Sequence, residues 1–266
     1  MTSSVRVALS GSGFRLPAHL GALHAIEAAN RQVIELAGTS GGSIVAALYA
    51  SGIGLEALRA LCMTLDWAPL MRFSPWALLT RRALCTGDAL LQFLYKQTPG
   101  LCFADLDIDL TIVASNLQNE EDFVFSRAAT PDLPIALAAR ASASIPLVFS
   151  AVKVGDALLV DGGTTDNVTA AHLTVDGLPR LAIDLESTAP APLPDASLRS
   201  VAPRIIDLML ASNEAARQAI DRRNGVQFVT VDTGDASSFD RHMPLAVRER
   251  LFAKGRAATA QALITL

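Results

Sequence analysis

Val33-Ile34-Glu35-Leu36-Ala37-Gly38-Thr39-Ser40-Gly41-Gly42-Ser43-Ile44-Val45-Ala46-Ala47-Leu48-Tyr49-Ala50 sets the architecture of this chain. The apolar run 33–37 reads as a strand, the Gly-rich stretch 38–42 as a sharp turn, and the small-residue run 43–50 as a helix. Ser40 stands at the turn. Strand, turn and helix around a Gly-x-Ser-x-Gly pattern is the context of a nucleophile elbow. Glycine lets the backbone turn tightly and leaves room around the hydroxyl. The following helix aims unpaired N–H groups and its positive dipole end at that position, where a developing oxyanion would be stabilised.

Upstream, Val5–Ser10 is a short apolar strand and Pro17–Ala29 has helical periodicity through Leu20, Leu23, Ala25 and Ile26. Strand, helix and strand within some 35 residues make a βαβ unit, so the two strands should be parallel. Loops at the carboxyl edge of a parallel sheet are where ligands bind. That edge brings Gly11-Ser12-Gly13-Phe14-Arg15 beside Ser40. The loop does not fit a dinucleotide-binding turn. The third glycine of that pattern is Leu16, and the second strand ends in Gly38-Thr39-Ser40 instead of an acidic ribose ligand.

Downstream, helices are expected over 55–65, 88–97, 131–141, 199–223 and 245–263, and strands over 109–115, 123–126, 181–185 and 227–231. Gly155-Asp156 between 151–154 and 157–160 signals a hairpin, and 189–194 is a Pro-rich loop. Alternating elements imply a layered α/β fold with a mainly parallel central sheet. With no internal repeat and no long linker, 1–266 reads as one domain.

The chain has 266 residues, 51% hydrophobic and 18% charged, with net charge −4. This suits a compact enzyme and excludes disorder and a nucleic-acid partner. Cys62, Cys85 and Cys102 are odd in number and lack metal-ligand spacing, so reduced thiols in a cytoplasmic setting are expected. Met1–Arg6 enters a strand pattern without a signal-peptide h-region, and no apolar run is long enough to span a membrane. The mean hydropathy of +0.36 fits either a large core or an apolar surface that meets lipid.

Asp161-Gly162-Gly163 closes the strand ending at Val160 and offers an acidic residue as a candidate base. An ordinary Asp, with a pKa near 4, matches a serine hydroxyl poorly, and partial burial would raise it. A simple turn aspartate is the alternative. His172 and His242 follow Asp161, giving the chain order of a Ser-Asp-His triad. Ser40 comes after only two strands, which is early for that fold. His19 and His24 read as packing or surface residues. Asp105, Asp107 and Asp109 read as a solvated strand edge. No metal or organic cofactor is expected.

Taken together, Gly11–Arg15, Gly38–Gly42 and Asp161–Gly163 resemble the patatin-like phospholipase family. So does Ala141-Ser142-Ala143-Ser144-Ile145-Pro146, and the likeness runs from Val5 to about Asp184. The resemblance implies a three-layer α/β/α patatin-like fold, with the segment from 199 onward completing the domain. It implies a hydrolase of lipid acyl esters: phospholipid, lysophospholipid or a related substrate. Ser40 and Asp161 would form a dyad without a catalytic histidine. N–H groups at Gly11, Ser12, Gly13 and Gly41 would form the oxyanion hole, and Arg15 would support the loop or meet a substrate phosphate. Ser12, Leu16 and Thr169 depart from the family pattern. Ser12 matters most, because serine tolerates positive φ poorly. A catalytically weak lipid-binding protein and a small-ester or thioester hydrolase are the alternatives.

Segment 67–82 holds both tryptophans together with Arg72, Arg81 and Arg82, broken by Pro69 and Pro75. It reads as core or as a cover over the site, with a peripheral membrane contact as the second reading. Oligomeric state is left open.

Overall fold

The computed structural model describes residues 3–81, 83–188, 195, 201, 204–205, 208 and 214–266. β1 (Ser3–Leu9) leads through the 10–15 loop into α1 (Leu16–Ala28), which returns to β2 (Arg31–Thr39). β1 and β2 pair in parallel, with Leu9 opposite Gly38. β2 then passes directly into α2 (Ser40–Ala50), followed by α3 (Leu55–Thr64), α4 (Pro75–Arg81) and α5 (Asp88–Gln97). The remaining elements are β3 (Asp109–Asn116), β4 (Glu121–Ser126), α6 (Ile135–Ser142), β5 (Val152–Val154), β6 (Ala157–Asp161), β7 (Arg180–Glu186), α7 (Glu214–Arg223), β8 (Val226–Asp232) and α8 (Leu245–Leu263).

The strands form one sheet in the order β5-β6-β3-β2-β1-β7-β8, with β4 also paired to β3. β1·β2, β2·β3, β1·β7 and β7·β8 are parallel. The pairs β3·β4, β3·β6 and β5·β6 are antiparallel, so the sheet is mixed at one end. Strand alternation sorts the core. Val7, Leu9, Leu36 and Ile183 point into the larger core with α1, α2, α3, α6 and α8. Ala8, Ala37 and Ala182 point to the opposite face, against Val168, Ala170, Leu173 and Phe228. On that face Arg222 of α7 lies over the Phe228 ring at 4.5 Å.

α2 is buried along nearly its whole length, from Ser40 to Ala50. A helix apolar on all sides belongs in a core, and each buried Leu or Ile contributes about 1.5–3 kcal/mol. The element behind Ser40 is therefore held on every side.

The helix expected over 131–141 starts later, at Ile135. Pro134 has no N–H to extend it and biases Leu133 away from the helical region, so 131–134 forms a turn. The Pro-rich loop 189–194 lies outside the described residues. So does most of 199–213, the first part of the helix expected over 199–223; its last part is α7. Segment 67–82 divides. Trp67 is buried at 4% exposure, whereas Trp76 is 70% exposed.

Candidate active site

The register along β3 brings Ser40 and Asp161 together. β3 pairs with β2 up to Thr39, which lies opposite Val113. β4 occupies the other side of β3 across residues 111–116. Beyond the end of β2, β6 therefore takes its place on the same side, running the opposite way, with Asp161 opposite Ala114. Thr39 and Asp161 are thus one register step apart. Ser40 Oγ donates to Asp161 Oδ2 at 2.6 Å across 121 residues of sequence.

Ser40 has φ of +49°, left-handed backbone that is uncommon for a non-glycine residue and costs of the order of 1 kcal/mol. Three contacts hold it there. Ser40 N–H donates to Ser142 Oγ at 2.8 Å, and Ser142 Oγ donates to the Val113 carbonyl at 2.6 Å. One turn into α2, Ser43 Oγ donates to the Ser40 carbonyl at 2.6 Å.

Asp161 is fully buried. Its Oδ1 accepts from Gly163 N–H at 2.9 Å, and its own N–H donates to the Ser144 carbonyl at 3.0 Å. Burial pushes its carboxyl up to about 6, against the opposing pull of the hydrogen bonds from Ser40 and Gly163. Among the described residues no cation contributes to the balance.

In the 10–15 loop, positive φ falls on Gly13 (+55°) and not on Ser12, so serine is accommodated in the middle of the loop without that strain. A Cβ on Gly13 would also collide with the Ser238 carbonyl. The N–H groups of Ser12, Gly13 and Gly41 have no hydrogen-bond acceptor among the described residues. Gly11 departs from expectation: its N–H already donates to the Asn167 carbonyl at 3.0 Å, which anchors the loop and removes it as a donor. Arg15 turns inward, with Nε donating to the Ser12 carbonyl at 3.1 Å and Nη1 to Thr233 Oγ1 at 3.0 Å. The side chain is thus tied to the loop's own carbonyl. Fully buried His19 adds a contact at 2.9 Å from Nε2 to the Ser10 carbonyl, and burial pushes its imidazole down to about 3, so it is neutral. Leu16 is buried at the start of α1, and Thr169 is buried ahead of the 170–172 turn.

The triad histidines lie elsewhere. His172 Nε2 is 3.5 Å from Asp166 Oδ2, and Asp166 holds its imidazole above the ordinary value. His242 accepts from Arg241 on the surface. Among the described residues no histidine hydrogen-bonds Ser40 or Asp161. Asp105 caps its own turn by accepting from Cys102 N–H, and Asp109 pairs with Arg127. Asp122, Asp166 and His172 do bring ligand atoms within 4.8 Å of one another. Arg217 already stands 3.5 Å from Asp166, so positive charge is supplied there by side chains.

Two site-supporting residues escaped the sequence reading. Ser142 lay in a noted motif but had no assigned role. Arg140 is buried, and donates to the carbonyls of Gly87, Thr86 and Ser150 and to Ser144 Oγ. It fixes the Ser144 segment whose carbonyl receives Asp161 N–H. The signal for Arg140 was a lone charge within an Ala-rich apolar helix.

An apolar cavity ends at Ser40 and Gly41, with Phe14, Ile44, Trp67, Leu70, Met71 and Phe149 in its wall. The Trp67 ring packs on Phe14 of the loop at 4.9 Å.

The sequence model for the patatin-like phospholipase family matches residues 7–174, more than half of the chain, with Ser40, Asp161 and the 10–15 loop inside the match. The chain belongs to that family. Among curated relatives, an uncharacterised protein of Bacillus subtilis, YqhO, is 32% identical over 182 residues, covering 59% of this chain and 62% of that one. An uncharacterised NTE family protein of Mycobacterium tuberculosis is 26% identical over 230 residues, covering 83% and 62%. The matched stretches thus span about three fifths of these relatives' own lengths. VipD from Legionella pneumophila superposes over 100% of this chain and 67% of its own, with a TM-score of 0.70 and 17% identity. ExoU of the Pseudomonas aeruginosa type III secretion system, solved with SpcU, superposes over 99% and 52%, with a TM-score of 0.58 and 18% identity. These likenesses establish a patatin fold.

Proposed function

We propose that this chain is a serine acyl-ester hydrolase of lipids, phospholipid or lysophospholipid, working through a Ser40–Asp161 dyad. The observation that carries the reading is the 2.6 Å hydrogen bond from a strained turn serine to a buried carboxylate that has no cation beside it among the described residues. Ser40 Oγ attacks the acyl carbonyl carbon while its proton passes to Asp161 Oδ2. The N–H groups of Ser12, Gly13 and Gly41 receive the oxyanion. Collapse breaks the ester C–O bond, and the leaving alcohol takes the proton from Asp161. Water then attacks the acyl-enzyme, with Asp161 again accepting the proton; collapse breaks the acyl C–Oγ bond, Ser40 Oγ takes the proton back from Asp161, and the fatty acid leaves. The apolar side chains around Ser40 and Gly41 suit the part of the acyl chain next to the carbonyl. Two observations disfavour the alternatives: positive φ rests on Gly13 instead of Ser12, which leaves the oxyanion loop unstrained at the serine, and no histidine reaches the dyad. The same reading takes the chain as one catalytic domain, since β8 pairs with β7 and α8 packs on α1.

The test is fluorophosphonate labelling and hydrolysis of a short p-nitrophenyl ester by wild type, Ser40→Ala, Asp161→Asn and the double variant His172→Ala/His242→Ala. Each dyad variant should lose at least about 1,000-fold in kcat/KM. The histidine variant should stay near wild type. A folded wild type that is neither labelled nor active, or a Ser40→Ala protein that still turns over, overturns the reading.

A further inference from the structure

The second half of segment 67–84 is built unlike the first. Phe73, Trp76, Leu79 and Leu84 are exposed, Leu79 at 78%. Backbone bonds tie them side by side to a third stretch: Ser74 N–H donates to the Leu84 carbonyl, Leu84 N–H to the Leu147 carbonyl, and Cys85 N–H to the Val148 carbonyl. Leu147 is 67% exposed at φ +68°, a left-handed conformation that leucine rarely adopts. A costly backbone that turns a leucine into water is a reason to look for a partner. The inner side of the same stretches (Leu70, Met71, Ile145, Phe149) walls the cavity that ends at Ser40. The outer apolar surface is therefore continuous with the mouth of the site. Arg72 and Arg81 are exposed on it, with no carboxylate within salt-bridge distance among the described residues. Tryptophan and arginine around aliphatic side chains are what an interface with anionic headgroups selects. A second copy of this chain, net charge −4, offers less to those arginines than a surface of fixed negative charge.

We infer that Phe73, Trp76, Leu79, Leu84 and Leu147 form a docking platform that seats the mouth of the Ser40 cavity on an anionic lipid bilayer. Its consequence for turnover rests on the proposed hydrolase reading; the docking itself does not. The two tryptophans supply a built-in probe, since only Trp76 is exposed.

The experiment uses the full chain carrying Ser40→Ala, so that lipid is not consumed, with vesicles of phosphatidylcholine alone or mixed with phosphatidylglycerol. Mixed vesicles should co-sediment the protein and shift its tryptophan emission to the blue, and Trp76→Phe should abolish the shift while binding persists. Phe73→Asp/Leu79→Asp, both at exposed positions, should weaken binding by at least about tenfold. Leu79→Asp alone, with its melting curve, guards against misfolding of the double variant. With Ser40 restored, the double variant should keep its soluble-ester activity and lose hydrolysis of vesicle lipid. Binding that is absent, or unmoved by the aspartates, overturns the platform. So does a wild-type dimer that the aspartates convert to monomer without any vesicle binding. Vesicle binding without ester hydrolysis would instead remove the hydrolase reading and leave the platform standing.

Discussion

Glu35 and Asp161 are both buried carboxylates of one sheet, and they are satisfied in opposite ways. Glu35, midway along β2, meets Arg6 Nη1 of β1 at 2.5 Å and accepts from Thr174 N–H and Oγ1, while Arg6 also reaches Asp176. Among the described residues the Asp161 carboxylate accepts only from a serine hydroxyl and one backbone N–H. A carboxylate given a cation becomes part of the frame. One given burial without a cation is held near the protonation balance a general base needs. The difference lies in partners and not in residue type, so each site can be broken separately.

Removing the cation from the first should have the largest effect on stability. Arg6→Met strands Glu35 in the interior, and loss of one member of a buried pair costs about 3–5 kcal/mol. Denaturant unfolding should show that loss while kcat/KM of the folded fraction holds. Glu35→Gln should cost less, since Arg6 keeps Asp176. An Arg6→Met protein as stable as wild type would show that the pair is not a frame.

Asp161→Asn should move stability the other way. The folded value of about 6 lies above the ordinary carboxylate value near 4, so the fold favours the protonated acid. Stability associated with Asp161 is therefore fully present below pH 4 and is lost as pH rises through the window from about 4 to 6. At pH 8 the neutral amide escapes that penalty, which is at most about 3 kcal/mol, and at pH 4 the two proteins should converge. Unfolding at both pH values measures it. A variant less stable than wild type at pH 8 would contradict the assigned cause of the shift.

The same titration sets the rate profile. If ionised Asp161 is the base, kcat/KM should be flat above about pH 6 and fall about tenfold per unit below it. A limb that disappears in His172→Ala would hand the role to His172.

The Asp161 half of this contrast was legible in the chain itself. A strand, a glycine turn and a small-residue helix mark Ser40, and a strand ending in Asp161-Gly162-Gly163 marks its partner. What local pattern cannot carry is register between distant strands. Nothing in 157–161 says that β6 continues the line of β2 along β3, which is what sets Asp161 against Ser40. Nor does it reveal that Gly11 N–H is spent on Asn167, a contact between residues far apart in sequence. Segment 67–82 defeated a single reading because tryptophan stands at both a buried and an exposed place in it: Trp67 packs on Phe14 of the 10–15 loop, a long-range contact, whereas Trp76 on α4 is exposed.

Ser142 offers the finest cut between frame and chemistry. Its hydroxyl bridges Ser40 N–H and the Val113 carbonyl, so it touches the backbone of the proposed nucleophile and not its hydroxyl. It is a positioning residue. Ser142→Ala leaves a buried N–H at a strained turn without its acceptor, at a cost of about 1 kcal/mol in stability. On the proposed hydrolase reading, with the elbow free to relax from φ +49°, kcat should fall about tenfold at unchanged KM, because Ser142 is not in the wall of the apolar cavity. The pH limb should stay where Asp161 sets it. Ser142→Thr, which keeps the hydroxyl, should restore most of the rate. A fall in kcat that threonine does not rescue would mean that packing of α6, and not the hydrogen bond, holds the elbow.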